Sequence, residues 1–238
     1  MDIESVKRFW DKVRVIEKEG GFSITLDDHP VHTPGKRALV VPNRDLAEEI
    51  AEEWNVQSDA VEPSEMPLTR YANSAADGVI LRRTEVIEEV TRYGATDLIC
   101  YRATDPSELV ERQAAGWDPL VEWIASELQI RLKIVSGALP VAQSQATIDA
   151  FHVAVSAFDD FPLTGLHAAA AACGSLVIAL ALARGHLNAE AAWWLSQLDE
   201  TYQIERWGED AEAIDRRARL LADIEVASRF MFLGGAGE

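Results

Sequence analysis

The sequence predicts an α+β fold, with a small antiparallel β-rich N-terminal domain over residues 1–42 and a mainly α-helical domain over residues 43–238. Apolar residues alternate at period two up to Pro42 and recur at helical spacing after it. Glycine and aspartate pairs punctuate the first part at hairpin intervals. The charge divides at the same place. Residues 1–42 hold seven basic and seven acidic side chains, so the net charge of −18 belongs to the remainder.

Within the first part, Val13 and Val15, then Phe22, Ile24 and Leu26, alternate with polar residues. Gly20-Gly21 lies between the two runs, where glycine reaches a positive φ without steric cost. Asp27-Asp28 and Pro34-Gly35 mark two further turns, and Val31 and Leu39-Val40-Val41 complete the set. About four strands this short need another element to cover one face. After Pro42, Asn43 is an expected N-cap, and Leu46, Ile50 and Trp54 follow four apart. Trp54 is expected to be buried between the β part and the helices. A loop is read around Pro63 and Pro67, and then a helix with Val86, Ile87, Val90 and Tyr93 that stops at Gly94. The stretch from Ser107 is helical, with a break considered at Trp117-Asp118-Pro119, and Ile130, Leu132 and Ile134 suggest a strand over 130–135. From 143 onward four helices are expected: to about Asp160, Thr164–Arg184, Asn188 to Gly208, and about 210–232.

Leu166–Ala183 has no charged residue apart from His167, a length able to span a bilayer. Alanine dominates it, six of its eighteen residues are Leu, Ile or Val, and Gly165, Gly174 and Ser175 suit close packing, so a central buried helix is expected rather than a membrane span.

With 22 Lys and Arg against 40 Asp and Glu, the chain lacks the basic surplus that binding to nucleic acid or an anionic membrane surface requires. Cys100 and Cys173 are too few for a disulfide scaffold and are expected to be reduced and buried. The N-terminus resembles neither a secretory signal nor a transit peptide, so the expected compartment is the cytoplasm. No phosphate loop, dinucleotide turn or nucleophile elbow is present, and no cofactor is expected.

Three groups of side chains bear on function. His29 and His32 beside Asp27 and Asp28, and the pair Asp149 and His152, have spacings open to metal ligation. They support one alternative, a small metal-dependent hydrolase using Asp27, His29 and His32 or Asp149 and His152. Residues three apart on a strand point to opposite faces, which favours an ordinary surface turn at the first of these. Glu48, Glu49, Glu52 and Glu53 form either a solvated face or a docking surface for a basic partner. The least ordinary stretch runs from Trp193 to Asp210. It gathers Trp193, Trp194, Tyr202 and Trp207, with Asp199, Glu200 and Glu205 among them. Large aromatics are frequent anchors of protein interfaces, although a core helix with an acidic outer face has the same composition.

Arg8-Phe9-Trp10, Gly20-Gly21-Phe22, Glu53-Trp54-Asn55-x-Gln57, Thr96-Asp97-Leu98-Ile99-Cys100-Tyr101-Arg102, Trp117-Asp118-Pro119, and Tyr202-Gln203-Ile204 with Trp207-Gly208 follow one another along the chain. In that order, from about residue 8 to about residue 230, they resemble the assembly chaperones of the F-type ATP synthase that bind the α subunit of the catalytic head. The resemblance implies a non-enzymatic protein, expected to be a monomer. It would bind the free α subunit and shield the surface that later pairs with β, in the bacterial cytoplasm or, for eukaryotic relatives, the mitochondrial matrix. It also implies partner-binding roles for Asp199, Glu200 and Glu205, joined by Tyr202 and Trp207.

Overall fold

The computed structural model describes residues 7–137 and 142–235. β1 (Val13–Lys18) and β2 (Gly21–Leu26) form a hairpin closed by the Lys18–Gly21 pair. Gly20 and Gly21 have φ of 87° and 144°, and a Cβ at Gly21 would collide with the Val41 carbonyl, so the second glycine is demanded twice over. β3 (His29–Pro30) and β4 (Val40–Val41) both pair antiparallel with β2, which is therefore the central strand. The Asp27-Asp28 turn is made with both residues at positive φ, and the Asp27 carboxylate accepts the Asp11 and Lys12 N–H groups at 2.9 Å. These two bonds hold its carboxyl below the usual carboxylate range.

α1 (Arg44–Asn55) covers the sheet. Asn43 caps it by accepting the Leu46 N–H at 3.0 Å and also donates to the Leu233 carbonyl. Ile24, Leu26, Val31, Leu39 and Val41 share one core with Leu46, Ala47 and Ile50. Trp54 is half-buried rather than buried, because its ring sits at the margin of that core, edge to face on the buried Trp10 at 5.3 Å.

The loop expected around Pro63 and Pro67 contains a helix, α2 (Pro67–Ser74), prolonged by a π turn over Ala75–Val79. Pro67 opens it at a position that needs no N–H. Its cap is Glu53 of α1, which accepts the Leu68 and Thr69 N–H groups at 2.6 and 2.7 Å and the Thr69 hydroxyl at 2.6 Å.

α3 (Arg83–Ala95) runs through Gly94 instead of stopping at it. Gly94 is there for packing: a Cβ would lie 2.5 Å from the Phe151 ring. α4 (Ser107–Glu127) is unbroken through Pro119. Residues 130–134 form no strand. The pairing lies further on, where β6 (Val135–Ser136) runs parallel to β5 (Tyr101–Arg102), a strand absent from the sequence reading. α5 (Gln145–Ser156) ends before the expected Asp160. Asp160 instead begins α6 (Asp160–Cys173).

The single helix expected over 164–184 is two. Gly174, at φ 61°, ends α6, and Ser175 caps α7 (Leu176–Ala183) by accepting the Ile178 N–H at 3.1 Å. Every residue of α7 is buried. The next expected helix likewise divides at Gln197 into α8 (Ala189–Ser196) and α9 (Leu198–Trp207), and α10 (Ala211–Leu233) closes the fold. Among the described residues no helix is long and apolar enough to cross a membrane.

Candidate functional site

α9 is amphipathic in an unusual way. Only Leu198 and Tyr202 are buried along it, and hydrogen bonds, ion pairs and aromatic contacts add further attachments. Toward α4, the Asp199 carboxylate accepts the Gln113 side-chain amide at 2.7 Å. Gln113 in turn accepts the Ala103 N–H at 2.7 Å, and its carbonyl accepts from the buried Arg102 guanidinium. Arg112 bridges Glu205 at 2.6 Å and Glu108 at 3.0 Å, and Arg206 reaches Glu108 at 3.3 Å. Both arginines lie over the Tyr202 ring, at 5.3 and 4.8 Å from its centroid. The carboxylates of Glu205 and Glu108 hold Arg112 above its ordinary pKa.

Toward α10, Glu200 pairs with Arg216 at 2.8 Å, with both side chains well exposed. Arg217 donates to the Thr201 hydroxyl at 2.9 Å, pairs with Glu209 at 3.4 Å and lies over the Trp193 ring at 5.0 Å. A cleft of about 550 Å³ opens here between Gln197 and Glu200 on one side and Glu212, Arg216 and Leu220 on the other.

The five residues singled out from the sequence thus occupy one helix but not one environment. Tyr202 is 3% exposed and holds α9 down, and its buried hydroxyl has no hydrogen-bond partner among the described residues. Trp207 is 77% exposed at the end of α9, the opposite extreme. Asp199, Glu200 and Glu205 each have a partner within the chain, and Glu200 and Glu205 face different neighbours, α10 and α4. Sequence reasoning missed the partners Arg112, Arg206, Arg216 and Arg217, and the exposure of Trp194 and Ile214, 47% and 52%. The one local signal was Glu108 and Arg112 at i and i+4, a stabilising spacing on a helix.

The other candidates are scattered. His29 Nδ1 lies 3.1 Å from the Asp27 carbonyl, and His32 is in a bridge with Ala38. Asp149 accepts from Gln145 at 2.8 Å, and His152 Nδ1 lies 3.4 Å from the Ser156 hydroxyl, both on α5. Among the described residues no three His, Cys, Asp or Glu side chains come together as metal ligands. The α1 carboxylates are also engaged: Glu48 with Arg44, Glu49 with Arg229, Glu52 with Asn55 and Glu53 with the α2 N-terminus. His186 stacks on Trp123 at 4.9 Å. Cys100 and Cys173 are free and buried, and burial pushes both thiols up to about 12.

A family model described as ATP12 chaperone protein matches residues 7–125. The mitochondrial protein atp12 of Schizosaccharomyces pombe is 28% identical over 241 residues, spanning 94% of this chain and 83% of that one. The crystal structure of Atp12 from Paracoccus denitrificans is 42% identical, superposes with a TM-score of 0.94, and covers 98% of this chain and 100% of its own. A putative chaperone from Agrobacterium tumefaciens is 41% identical with a TM-score of 0.91, covering 95% of this chain and 85% of its own.

Proposed function

The chain belongs to the ATP12 chaperone family, the assembly chaperones of the ATP synthase, and on that premise we propose that its client is the free α subunit of the catalytic head, which it binds through the α8–α10 face. The observation that carries this reading is Trp207, 77% exposed at the end of α9, with Trp194 of α8 and Ile214 of α10 exposed as well. Large apolar side chains left in water and rimmed by polar groups mark contact surfaces. The polar groups of α9 and the turn after it are the ion pairs of Glu200 with Arg216, Glu205 with Arg112 and Glu209 with Arg217.

An unpaired subunit of an obligate ring presents a broad apolar interface and aggregates unless it is covered. A chaperone that covers it must then give way to the β subunit. Mass action suffices for that exchange when the final α–β interface is the tighter one. On this reading the chain acts by binding alone and needs no cofactor or catalytic group. The bacterial origin of its solved relatives supports the bacterial cytoplasm as its place of action.

The test is gel filtration of the chain mixed in turn with purified α and β subunits of a bacterial F-type enzyme. A complex with α, dissolved when β is added, is expected. A complex with β and none with α would overturn the assignment of the client.

A further inference from the structure

The ladder of the first hairpin leaves one strand edge open. The Asp27 N–H donates to the Lys12 carbonyl at 2.9 Å, which makes Lys12 and Asp27 a hydrogen-bonded pair, and such pairs alternate along antiparallel strands. Arg14, Ile16 and Lys18, opposite Thr25, Ser23 and Gly21, are therefore the residues whose backbone groups turn toward β2. The N–H and C=O groups of Val13, Val15 and Glu17 turn away from it. Among the described residues no hydrogen bond reaches any of these six groups.

The side chains along this edge are sorted by face. Lys12, Arg14 and Lys18 are exposed on one face with the half-buried Ile16 between them, and Val13 and Val15 turn to the core side. This basic stripe stands on a chain of net charge −18. Among the described residues its one bridge is Arg14 to Asp28 at 2.6 Å, with side chains 53% and 79% exposed. Lysine on an edge strand discourages pairing with a like edge. If a second copy paired antiparallel with this edge, the three central registers would set Lys12 against Lys18, Arg14 against Lys18, or Arg14 against Arg14. Each places like charges opposite one another. The stripe therefore rejects a second copy and selects a strand of opposite charge.

We propose that the outer edge of β1 is a strand-addition site for an extended segment of a partner protein in which acidic and apolar residues alternate. The backbone groups of Val13, Val15 and Glu17 would complete a ladder with it. The acidic side chains would lie beside Lys12, Arg14 and Lys18, and the apolar ones beside Val13 and Val15. The site is on the β part and does not depend on the α8–α10 reading.

The probe is a capped synthetic peptide of about seven residues alternating Glu and Val, added to the full chain and followed by backbone-amide NMR. Binding is expected to shift the Val13, Val15 and Glu17 amides and slow their exchange, and to weaken as salt rises from about 0.05 to 0.5 M. A peptide with Lys in place of Glu should bind at least about tenfold more weakly. Proline is tolerated on an edge strand where its missing N–H faces solvent. Val15→Pro should therefore keep the fold and lose binding by about tenfold or more. Should Val15→Pro fail to fold, Lys12→Glu with Lys18→Glu leaves the ladder intact and should produce the same loss. No binding at millimolar peptide, equal binding by the variants, shifts confined to other elements, or a stable dimer of the free chain joined through β1 would each overturn the proposal.

Discussion

Glu53 sits near the end of α1 but works for α2. Burial pushes its carboxyl up, while the Thr69 hydroxyl and the Thr69 and Leu68 N–H groups pull it back. Removing it would strand two helix N–H groups in a half-buried place, so Glu53→Ala should cost about 1–3 kcal/mol in chemical unfolding. Glu52→Ala, on the exposed side, should stay within about 0.5 kcal/mol. Asp97 is the deeper case. It is fully buried and accepts the Ser175 hydroxyl at 2.6 Å and the Val177 and Ile99 N–H groups at 3.0 and 3.2 Å. Desolvation nonetheless dominates and raises its carboxyl to about 6. A folded-state pKa above the unfolded value means that the folded chain holds this proton more tightly. The resulting stabilisation is complete below about pH 4 and is lost as pH rises through about 6. Compared with Asp97→Asn, the wild-type melting temperature should therefore gain as pH falls from about 7 to 4.5. A constant difference across that range would show that Asp97 does not titrate there. Neither role was legible in the sequence. Glu53 stood out only as one of four acids, and Asp97 only as part of a motif, because the groups they cap lie 15 and 80 positions away.

At the scale of elements, α1 was readable from the cap on its own flank and α2, capped from another helix, was not. Asn43 announced α1 from its own flank. α2 went unread because its cap is on another helix and its first residue, Pro67, looks like a breaker. The division of α6 from α7 was hidden by the uninterrupted apolar run, although Gly174 and Ser175 were noted in it for their size. Glycines misled in the other direction. Gly94 reads as a stop and is a contact. Gly165 of α6 is another, with Met231 Cγ 2.5 Å and the Ala227 carbonyl 3.0 Å from where its Cβ would be. Gly165→Val should separate α6 from α10 and destabilise by about 1–3 kcal/mol, measured as a lower denaturation midpoint.

α9 illustrates the limit for the candidate site. Its composition singled it out, but which acid is paired depends on arginines from α4 and α10. The Glu200–Arg216 pair is exposed, and such pairs contribute little to folding. Glu200→Lys should therefore change stability by less than about 1 kcal/mol while turning a pair into a repulsion at the rim of the proposed contact. Paired melting and α-subunit binding curves check this. A large loss of melting temperature would make Glu200 a structural residue.

Over the whole molecule, the two halves read from the sequence share their interior. The core beneath the sheet includes α1 and α2 and is completed by Phe161 of α6 and Phe230 of α10. Asp77, in the turn after α2, accepts from Thr33, Gly35 and Arg37 of the β part. The helical core is built around α7, and the charged face of α9 lies outside it. A body closed in this way leaves Trp207 exposed at the end of α9, where the proposed client would cover it. The most direct measurement is the yield of soluble α subunit on co-expression with the wild-type chain and with Trp207→Ala, alongside the melting temperature of each. A docking role for Trp207 predicts an unchanged melting temperature, because the side chain is 77% exposed, and a several-fold loss of soluble α subunit. A variant that melts normally and keeps the α subunit as soluble as the wild type does would contradict it.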